Sequence, residues 1–203
     1  MNTRPGRPLI LASSSPYRRA LLERLRIPFT VVVPAIDETP RTGESPAATA
    51  LRLAMEKARA VASAESARHP DAIVIGSDQV ATFDDRQIGK PGDHHTALTQ
   101  LQAMRGREVE FHSALCVFDA ARDDAQIKDV ITRVRFRDAP DAVLEAYLHA
   151  EQPYDVAGSA KAEGLGIALL ESIESSDPTA LIGLPLIELV SMLNNAGFPV
   201  ISA

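Results

Sequence analysis

Small hydroxyl residues and arginines near the start of the chain form a segment that could bind an anion. Residues 13–15 are all serine, Pro16 follows them, and Arg18 and Arg19 come after one more residue. Ser15 and Pro16 suit the N-cap and first position of a helix. Backbone N–H groups at a helix N-terminus attract anions, and a bound anion would offset the cost of arginines in the first turn. A serine cap with two solvated arginines explains the same residues equally well.

Acidic residues in two distant segments could together bind a magnesium ion. Asp37 and Glu38 lie in a polar loop, and Asp78 follows an apolar run that predicts a buried strand. We expect Asp78 at the carboxyl end of that strand, where open α/β sheets place their ligands. Mg²⁺ is bound by one or two carboxylates together with substrate phosphates. For each acid alone, a loop or capping role is the simpler interpretation.

Two lysines could add positive charge to such a site, because lysine acts as a point charge toward phosphate. Lys57 lies in a predicted helix, and Lys90 precedes Pro91, which restricts it to an extended backbone. Each of them alone is more simply explained as a surface lysine. A glycine-rich segment at 158–166 contains Glu163, but its spacing matches neither a Walker A loop nor a dinucleotide fingerprint.

Several other kinds of chemistry lack their sequence patterns. The chain has no His-Glu-x-x-His, no Cys-x-x-Cys and no Gly-x-Ser-x-Gly segment. His94 and His95 are adjacent, so they point apart on a helix, and the other three histidines are scattered. The sequence therefore predicts neither zinc chemistry nor an acyl-enzyme.

The elements that must position these residues alternate between strands and helices, which predicts an α/β fold with a mixed twisted sheet and flanking helices. We expect one domain covering residues 1–203, with two lobes around a central cleft. The predicted strands are 9–12, 29–33, 72–75, 109–118, 127–136 and 164–173, and the predicted helices are 16–25, 45–64, 96–104, 140–150 and 184–195.

Composition and charge narrow the class of protein. The net charge of −6 argues against non-specific binding to nucleic acid polymers, which depends on lysine and arginine. No apolar stretch approaches the length of a membrane span or of a signal-peptide core. The single cysteine, Cys116, excludes an intrachain disulfide and lies in an apolar stretch typical of a core. We expect a cytoplasmic protein.

The order and spacing of these segments resemble the Maf family. The resemblance runs from about residue 9 to residue 195 and implies a two-lobed α/β house-cleaning nucleoside triphosphate pyrophosphatase with a cleft site. It also implies dependence on a divalent cation (Mg²⁺, Mn²⁺ or Co²⁺) and a possible homodimer. The six matching blocks are Leu-Ala-Ser-x-Ser-Pro-x-Arg-Arg at 11–19, Asp-Glu-Thr at 37–39, Arg-Leu-Ala-x-Glu-Lys-Ala at 52–58, Gly-Ser-Asp at 76–78, Gly-Lys-Pro at 89–91 and Gly-Leu-Pro at 183–185.

Three positions resemble the branch of this family that hydrolyses 7-methyl-GTP. Gln79 stands where the dTTP/UTP branch has Thr, Tyr17 where that branch has Arg, and Glu163 where it has Gln. A 7-methylated guanine is cationic, so an aromatic ring can stack on it through a cation–π interaction. A carboxylate can accept hydrogen bonds from the guanine edge.

The resemblance also implies roles for individual residues. Glu38 and Asp78 would bind the metal ion, and Asp78 would accept the proton of the attacking water, as base, metal ligand or both. Two alternatives stay open: a dTTP/UTP pyrophosphatase, and a non-catalytic nucleotide-binding regulator of cell division. The residues expected to bind the triphosphate are Ser13, Arg18, Lys57 and Lys90.

Overall fold

The computed structural model describes residues 6–84 and 86–201 and contains, in this part of the chain, seven strands and five α-helices. Short 3₁₀ segments cover Ala157–Ser159, Leu165–Leu169 and Ala180–Ile182. The strands are β1 (Leu9–Ala12), β2 (Thr30–Val32), β3 (Ile73–Phe83), β4 (Arg86–Ile88), β5 (Glu108–Asp119), β6 (Asp124–Phe136) and β7 (Leu170–Ser175). The helices are α1 (Pro16–Glu23), α2 (Pro46–Glu65), α3 (His94–Met104), α4 (Asp141–Glu151) and α5 (Leu186–Asn195).

The strands form one mixed sheet, in the order β2-β1-β3-β5-β6-β7, with β4 also paired to β3. β1 is parallel to β2 and β3, and the remaining pairs are antiparallel. The α/β class and the mixed sheet predicted from the sequence are confirmed. No helix within the described residues is long and apolar enough to cross a membrane.

One edge of β3 is left open over a short stretch, and this stretch positions the site. β1 pairs with β3 as far as the register Ala12–Gly76, and β4 pairs with it only from Ala81 onward. Between them, residues 77–80 pair with β5 on one side, but no described strand covers their other side. The backbone edge of these residues therefore faces a gap between two parts of the sheet, and their side chains point alternately to its two faces.

The core follows the alternation of side chains along the strands. In β1, Leu9 and Leu11 pack against α1 and α5, whereas Ile10 and Ala12 pack against α2 on the opposite face. A third cluster joins α3 and α4 to the distal half of the sheet. Cys116 lies fully buried in the α2 cluster, and burial raises the pKa of its thiol to about 12, which confirms the predicted core role.

Serine caps begin the first two helices as predicted. The Ser15 hydroxyl accepts a hydrogen bond from the backbone N–H of Arg18, and the Ser45 hydroxyl accepts one from Ala48. In each case a proline follows the cap and supplies a helical φ without needing a hydrogen bond to its nitrogen.

Two predictions about strands are wrong. Asp78 does not end its strand, because β3 continues to Phe83 through antiparallel pairing with β5. The carboxyl end that lies beside Asp78 belongs instead to β1. Residues 164–169 are also not a strand: the N–H of Leu165 donates to the Glu151 carboxylate, and the chain turns through a 3₁₀ segment before β7 begins.

Candidate active site

A cavity of about 400 Å³ opens at the unpaired stretch of β3. Its walls come from the start of α1, the middle of β3, the segment 87–90 and the segment 155–157. Arg19 and Asp37 do not line this cavity, and of the residues to which the family resemblance assigns a role, two do not line it either: Ser13 and Glu163. Those that do are Tyr17, Arg18, Glu38, Lys57, Asp78, Gln79 and Lys90.

The centre of the cavity is a lysine held between two carboxylates. Nζ of Lys57 lies 2.7 Å from Oδ1 of Asp78 and 3.0 Å from Oε1 of Glu38. Lys57 is 5% exposed and Asp78 is 7% exposed, whereas Glu38 reaches in from a solvated loop. Acids that are 40 residues apart in the chain thus face the same point.

Close packing of α2 on β3 brings Lys57 to Asp78. Gly76 lies beneath the helix, and a Cβ at this position would be 2.1 Å from the carbonyl oxygen of Ala54 and 2.9 Å from the backbone nitrogen of Ala58. Only glycine permits this approach. Lys57 lies between Ala54 and Ala58 in the helix. Its side chain projects toward Asp78, two residues after Gly76 on the strand.

A network of ion pairs fixes the loop that carries Glu38. Nε of Arg52 donates to Oε1 of Glu44 at 2.6 Å, and its two terminal nitrogens donate to Glu56 and to the carbonyl of Thr39. Hydrogen bonding with Arg52 lowers the pKa of Glu44 to about 2 and raises the pKa of the guanidinium. Arg52 thereby anchors the residue that follows Glu38.

Arg18 is positioned from the opposite wall. Its Nε donates to the carbonyl of Gly183 at 2.9 Å, and the Ser77 hydroxyl donates to the same oxygen at 3.0 Å. Gly183 has a φ of +119°, a conformation that side chains other than glycine rarely adopt. Protein atoms surround Arg18 closely although part of its surface faces the cavity; burial lowers its pKa, and the charges of Asp78 and Glu38 oppose that shift.

Gln79 lines the cavity, but its amide nitrogen is already used. It donates to the Ser113 hydroxyl and to the carbonyls of Ala180 and Leu181, at 2.9 to 3.0 Å. These contacts hold the 3₁₀ segment that precedes Gly183. Within the described part of the chain, the side-chain oxygen of Gln79 accepts no hydrogen bond, so it is the atom that remains for a ligand.

Tyr17 lines the cavity and lies close to Lys161 of the glycine-rich segment. Nζ of Lys161 is 5.5 Å from the centroid of the Tyr17 ring, and the same ammonium pairs with Glu151 at 3.0 Å. The Tyr147 hydroxyl accepts from the N–H of Lys161 and fixes this segment. Glu163 is exposed and lies two residues farther along, outside the cavity wall.

Ser13 and Lys90 occupy contrasting positions. Ser13 is buried, and its hydroxyl oxygen accepts from the N–H of Ser15 at 3.1 Å, so it shapes the turn that begins α1. Lys90 is exposed at the rim of the cavity. A direct contact of Ser13 with a ligand stays a prediction.

Asp155, an exposed acid in the wall formed by residues 155–157, is a cavity residue that the sequence did not predict. The helix α4 is capped at its C-terminus by Gln152, which adopts the left-handed conformation, and Asp155 comes three residues later. No pattern in the sequence distinguishes such an acid from a solvated loop residue. Its position in the cavity depends on where α4 ends against the sheet.

The donor set fits a hard divalent cation. Glu38 and Asp78 each use one carboxylate oxygen to contact Lys57, and the second oxygen of each accepts no hydrogen bond from the described residues. Two carboxylates that converge in this way offer oxygen ligands of the kind that Mg²⁺ and Mn²⁺ prefer.

The chain is similar over nearly its whole length to proteins named 7-methyl-GTP pyrophosphatase. One from Paraburkholderia xenovorans is 70% identical over 200 residues, covering 98% of this chain and 97% of the relative. One from Ralstonia nicotianae is 66% identical over 192 residues, covering 95% and 97%. A crystal structure of a nucleoside-triphosphatase / dITP/XTP pyrophosphatase from Mycobacterium abscessus covers 93% of this chain and 97% of its own, at 18% identity and a TM-score of 0.42, too low to carry an argument. The model of the family described as Maf-like protein matches residues 8–196, so the chain belongs to the Maf family.

Proposed function

We propose that this protein hydrolyses 7-methyl-GTP to 7-methyl-GMP and pyrophosphate. The observation that carries the proposal is the convergence of Glu38 and Asp78 on Lys57 inside a cavity lined by further cations. The cavity volume lies in the range of small-ligand sites. The printed names of the relatives, at 66% and 70% identity, support 7-methyl-GTP as the substrate.

The cations of the cavity suit a triphosphate. Arg18, Lys57 and Lys90 approach from three different segments and would offset part of the negative charge of the phosphate chain. Their positions are preorganised, since Lys57 is held by two carboxylates and Arg18 by the Gly183 carbonyl. Fixed charges of this kind stabilise the charge that develops on phosphoryl oxygens in the transition state.

Asp78 is the residue best placed to accept a proton. It is almost buried, and Lys57 fixes one of its oxygens, so the other can accept from a water in the cavity. That water attacks the α-phosphorus, the bond from this phosphorus to the bridging oxygen breaks, and pyrophosphate leaves. A divalent cation bound by Glu38 and Asp78 would neutralise charge on the phosphoryl oxygens.

Two carboxylates are candidates to accept hydrogen bonds from the guanine edge. Glu163 is the one implied by the resemblance, and Asp155 is the one that lines the cavity. The variants Glu163→Gln and Asp155→Asn, each assayed with 7-methyl-GTP and UTP, distinguish them. The true acceptor is the residue whose exchange lowers kcat/KM for 7-methyl-GTP about tenfold or more while leaving UTP nearly unchanged.

The proposal is tested by pyrophosphate release from a nucleotide panel (7-methyl-GTP, GTP, dTTP and UTP) with Mg²⁺, Mn²⁺ or Co²⁺. We expect 7-methyl-GTP to give the highest kcat/KM and Asp78→Asn to lower kcat at least about 100-fold. The variant Glu174→Gln, which changes an exposed acid on β7, serves as a control.

Preference for UTP or dTTP would favour the alternative substrate class. Absence of turnover with every nucleotide would favour a binding protein without catalysis, and unchanged turnover by Asp78→Asn would refute the role of that residue.

The proposal includes a cytoplasmic location and a possible homodimer. Size-exclusion chromatography with light scattering measures the oligomeric state, and cell fractionation measures the location.

A further inference from the structure

Three side chains outside the cavity form a compact group of nitrogen and oxygen donors. They are His94, at the start of α3, and Glu145 and His149, one turn apart on α4. One ligand atom from each residue lies within 4.8 Å of the other two. In the sequence, His94 lies beside His95 and far from His149, and only the packing of α3 against α4 brings His94 and His149 together.

The two helices run antiparallel, which brings the start of one to the end of the other. Gln102 and Arg105, at the end of α3, donate to the carboxylate of Asp141 at the start of α4. At the opposite end, Nε2 of His94 lies 2.7 Å from Oε2 of Glu145. The spacing of Glu145 and His149 places both on the face that meets His94.

We propose that His94, Glu145 and His149 form a binding site for a divalent transition-metal ion such as Zn²⁺. Two imidazoles and one carboxylate are a ligand set that zinc accepts, with water as the fourth ligand. Mg²⁺ prefers oxygen ligands, so this site and the Glu38–Asp78 pair select different ions. The inference does not depend on the proposed function.

An ion at this site would take the place of the proton that joins His94 to Glu145, and the ligand atoms would have to adjust around it. The contact between Nε2 of His94 and Oε2 of Glu145 requires a proton between them, and a metal ion can bridge the same two atoms. Tetrahedral zinc separates its ligand atoms by about 3.4 Å. The observed separations are 2.7 Å for His94–Glu145 and 3.8 Å for His149–Glu145. His149 is 76% exposed, so its ring can adjust to close the site.

A further contact orients the first ligand. Nδ1 of His94 lies 3.1 Å from the Tyr154 hydroxyl, which can fix the ring and leave Nε2 for the ion. Tyr154 also accepts, through its carbonyl, a hydrogen bond from the N–H of Gly92. An ion at this site would therefore fasten α3 to α4 and to the segment that leads into Asp155.

The test is a titration of metal-free protein with Zn²⁺ in buffer containing millimolar Mg²⁺. Isothermal calorimetry measures the stoichiometry and affinity of binding, and thermal unfolding measures the change in Tm. We expect one Zn²⁺ per chain and a rise in Tm. Zinc affinity should fall at least about tenfold in His149→Ala and in Glu145→Gln, because each removes a ligand. His95→Ala, which removes a neighbouring exposed histidine outside the group, should bind Zn²⁺ like the parent.

Pyrophosphate release in Mg²⁺ should be unchanged in His149→Ala and Glu145→Gln, since neither residue lines the cavity. Two results would overturn the inference. One is zinc binding of equal affinity in the parent and in both ligand variants. The other is zinc binding that disappears in Glu38→Gln, which would assign the ion to the cavity and leave the three residues as an ion-pair cluster only.

Discussion

Nζ of Lys57 lies 2.7 Å from Oδ1 of Asp78, and both residues are almost completely buried. A charged pair with so little solvent tolerates the loss of one member poorly, because the other is left without compensation. Here a second carboxylate, Glu38, also contacts the ammonium. In the absence of a divalent cation, Lys57 therefore supplies the positive charge that stabilises the two carboxylates.

Replacing Lys57 by Met should make the protein depend on divalent cations for stability. Without the ammonium, the carboxylates of Glu38 and Asp78 lose the cation that contacts both of them, and an added divalent cation relieves their repulsion. We expect the variant to have a lower Tm than the parent in EDTA and a larger rise in Tm on addition of Mg²⁺ or Mn²⁺. Its kcat should fall at least about 100-fold, because a phosphate ligand is also lost.

The matched control is Lys128→Met, which removes an exposed lysine from β6. An equal response of Tm to Mg²⁺ in the parent and both variants would contradict this prediction, and no response in any of the three would show that the two carboxylates do not bind the cation.

The packing of α2 on β3 should be sensitive to a single methyl group. In Gly76→Ala the new Cβ meets backbone atoms of Ala54 and Ala58, which cannot rotate away. The helix must shift, at a cost of about 1–3 kcal/mol in the free energy of unfolding. The shift also carries Lys57 away from Asp78, so turnover should fall together with stability. Urea unfolding and steady-state assays measure the two effects.

Gly89→Ala is the control for stability, because no atom lies within 4 Å of a Cβ at that position. If Gly76→Ala unfolds at the same urea concentration as the parent, the close approach of helix and strand is not what limits residue 76.

The extent to which the sequence anticipates this structure differs between helices, strands and the site. The starts of α1 and α2 are predictable, because a serine cap followed by proline is a local signal. The length of β3 is not, because its second half is held by pairing with β5, which is distant in the chain. The same reason hides Asp155: only the tertiary position of the segment after α4 distinguishes it from other loop acids.

The convergence of Glu38, Lys57 and Asp78 could be predicted only in part. Residue types and family resemblance predict that they share a cleft, and the structure brings them together. The contacts of Lys57 with the two carboxylates depend on Gly76, which lets the helix approach the strand, and on Arg52, which anchors the loop of Glu38. Neither feature produces a periodic pattern in the sequence, so neither could be predicted from it.

The anchor of that loop should weaken in acid. Hydrogen bonding to Arg52 lowers the pKa of Glu44 from its ordinary value of 4.5 to about 2 in the folded protein. A carboxyl with a lowered folded-state pKa contributes stability that is fully present above its unfolded pKa and is lost as the pH falls toward the folded value. The contribution of Glu44 is therefore present at pH 6 and declines between about pH 4.5 and pH 2.

The measurement is the Tm of the parent and of Glu44→Gln from pH 6 down to pH 3. We expect the parent to be more stable at pH 6 and the difference to narrow on acidification. Glu174→Gln, at an exposed position, should follow the parent at every pH. A difference that is constant with pH would show that Glu44 acts through packing and not through its charge.

The aromatic ring of Tyr17 should contribute to selection of a methylated base. This ring already lies 5.5 Å from a cation, Nζ of Lys161, at the edge of the cavity. A 7-methylguanine carries a positive charge and guanine does not, so loss of the ring should affect 7-methyl-GTP more than GTP. We expect Tyr17→Leu to lower kcat/KM for 7-methyl-GTP by roughly 2- to 30-fold, the range that corresponds to a cation–π interaction of about 0.5–2 kcal/mol.

The comparison with Tyr17→Phe isolates the ring from the hydroxyl. Phenylalanine keeps a π face and loses only the polar atom, so this variant should retain most of the preference for 7-methyl-GTP over GTP. If Phe and Leu at position 17 lower that preference equally, the hydroxyl and not the ring recognises the base. If neither changes it, the base does not stack on residue 17, and the discrimination must come from another group, with Asp155 in the cavity wall as the first to be exchanged.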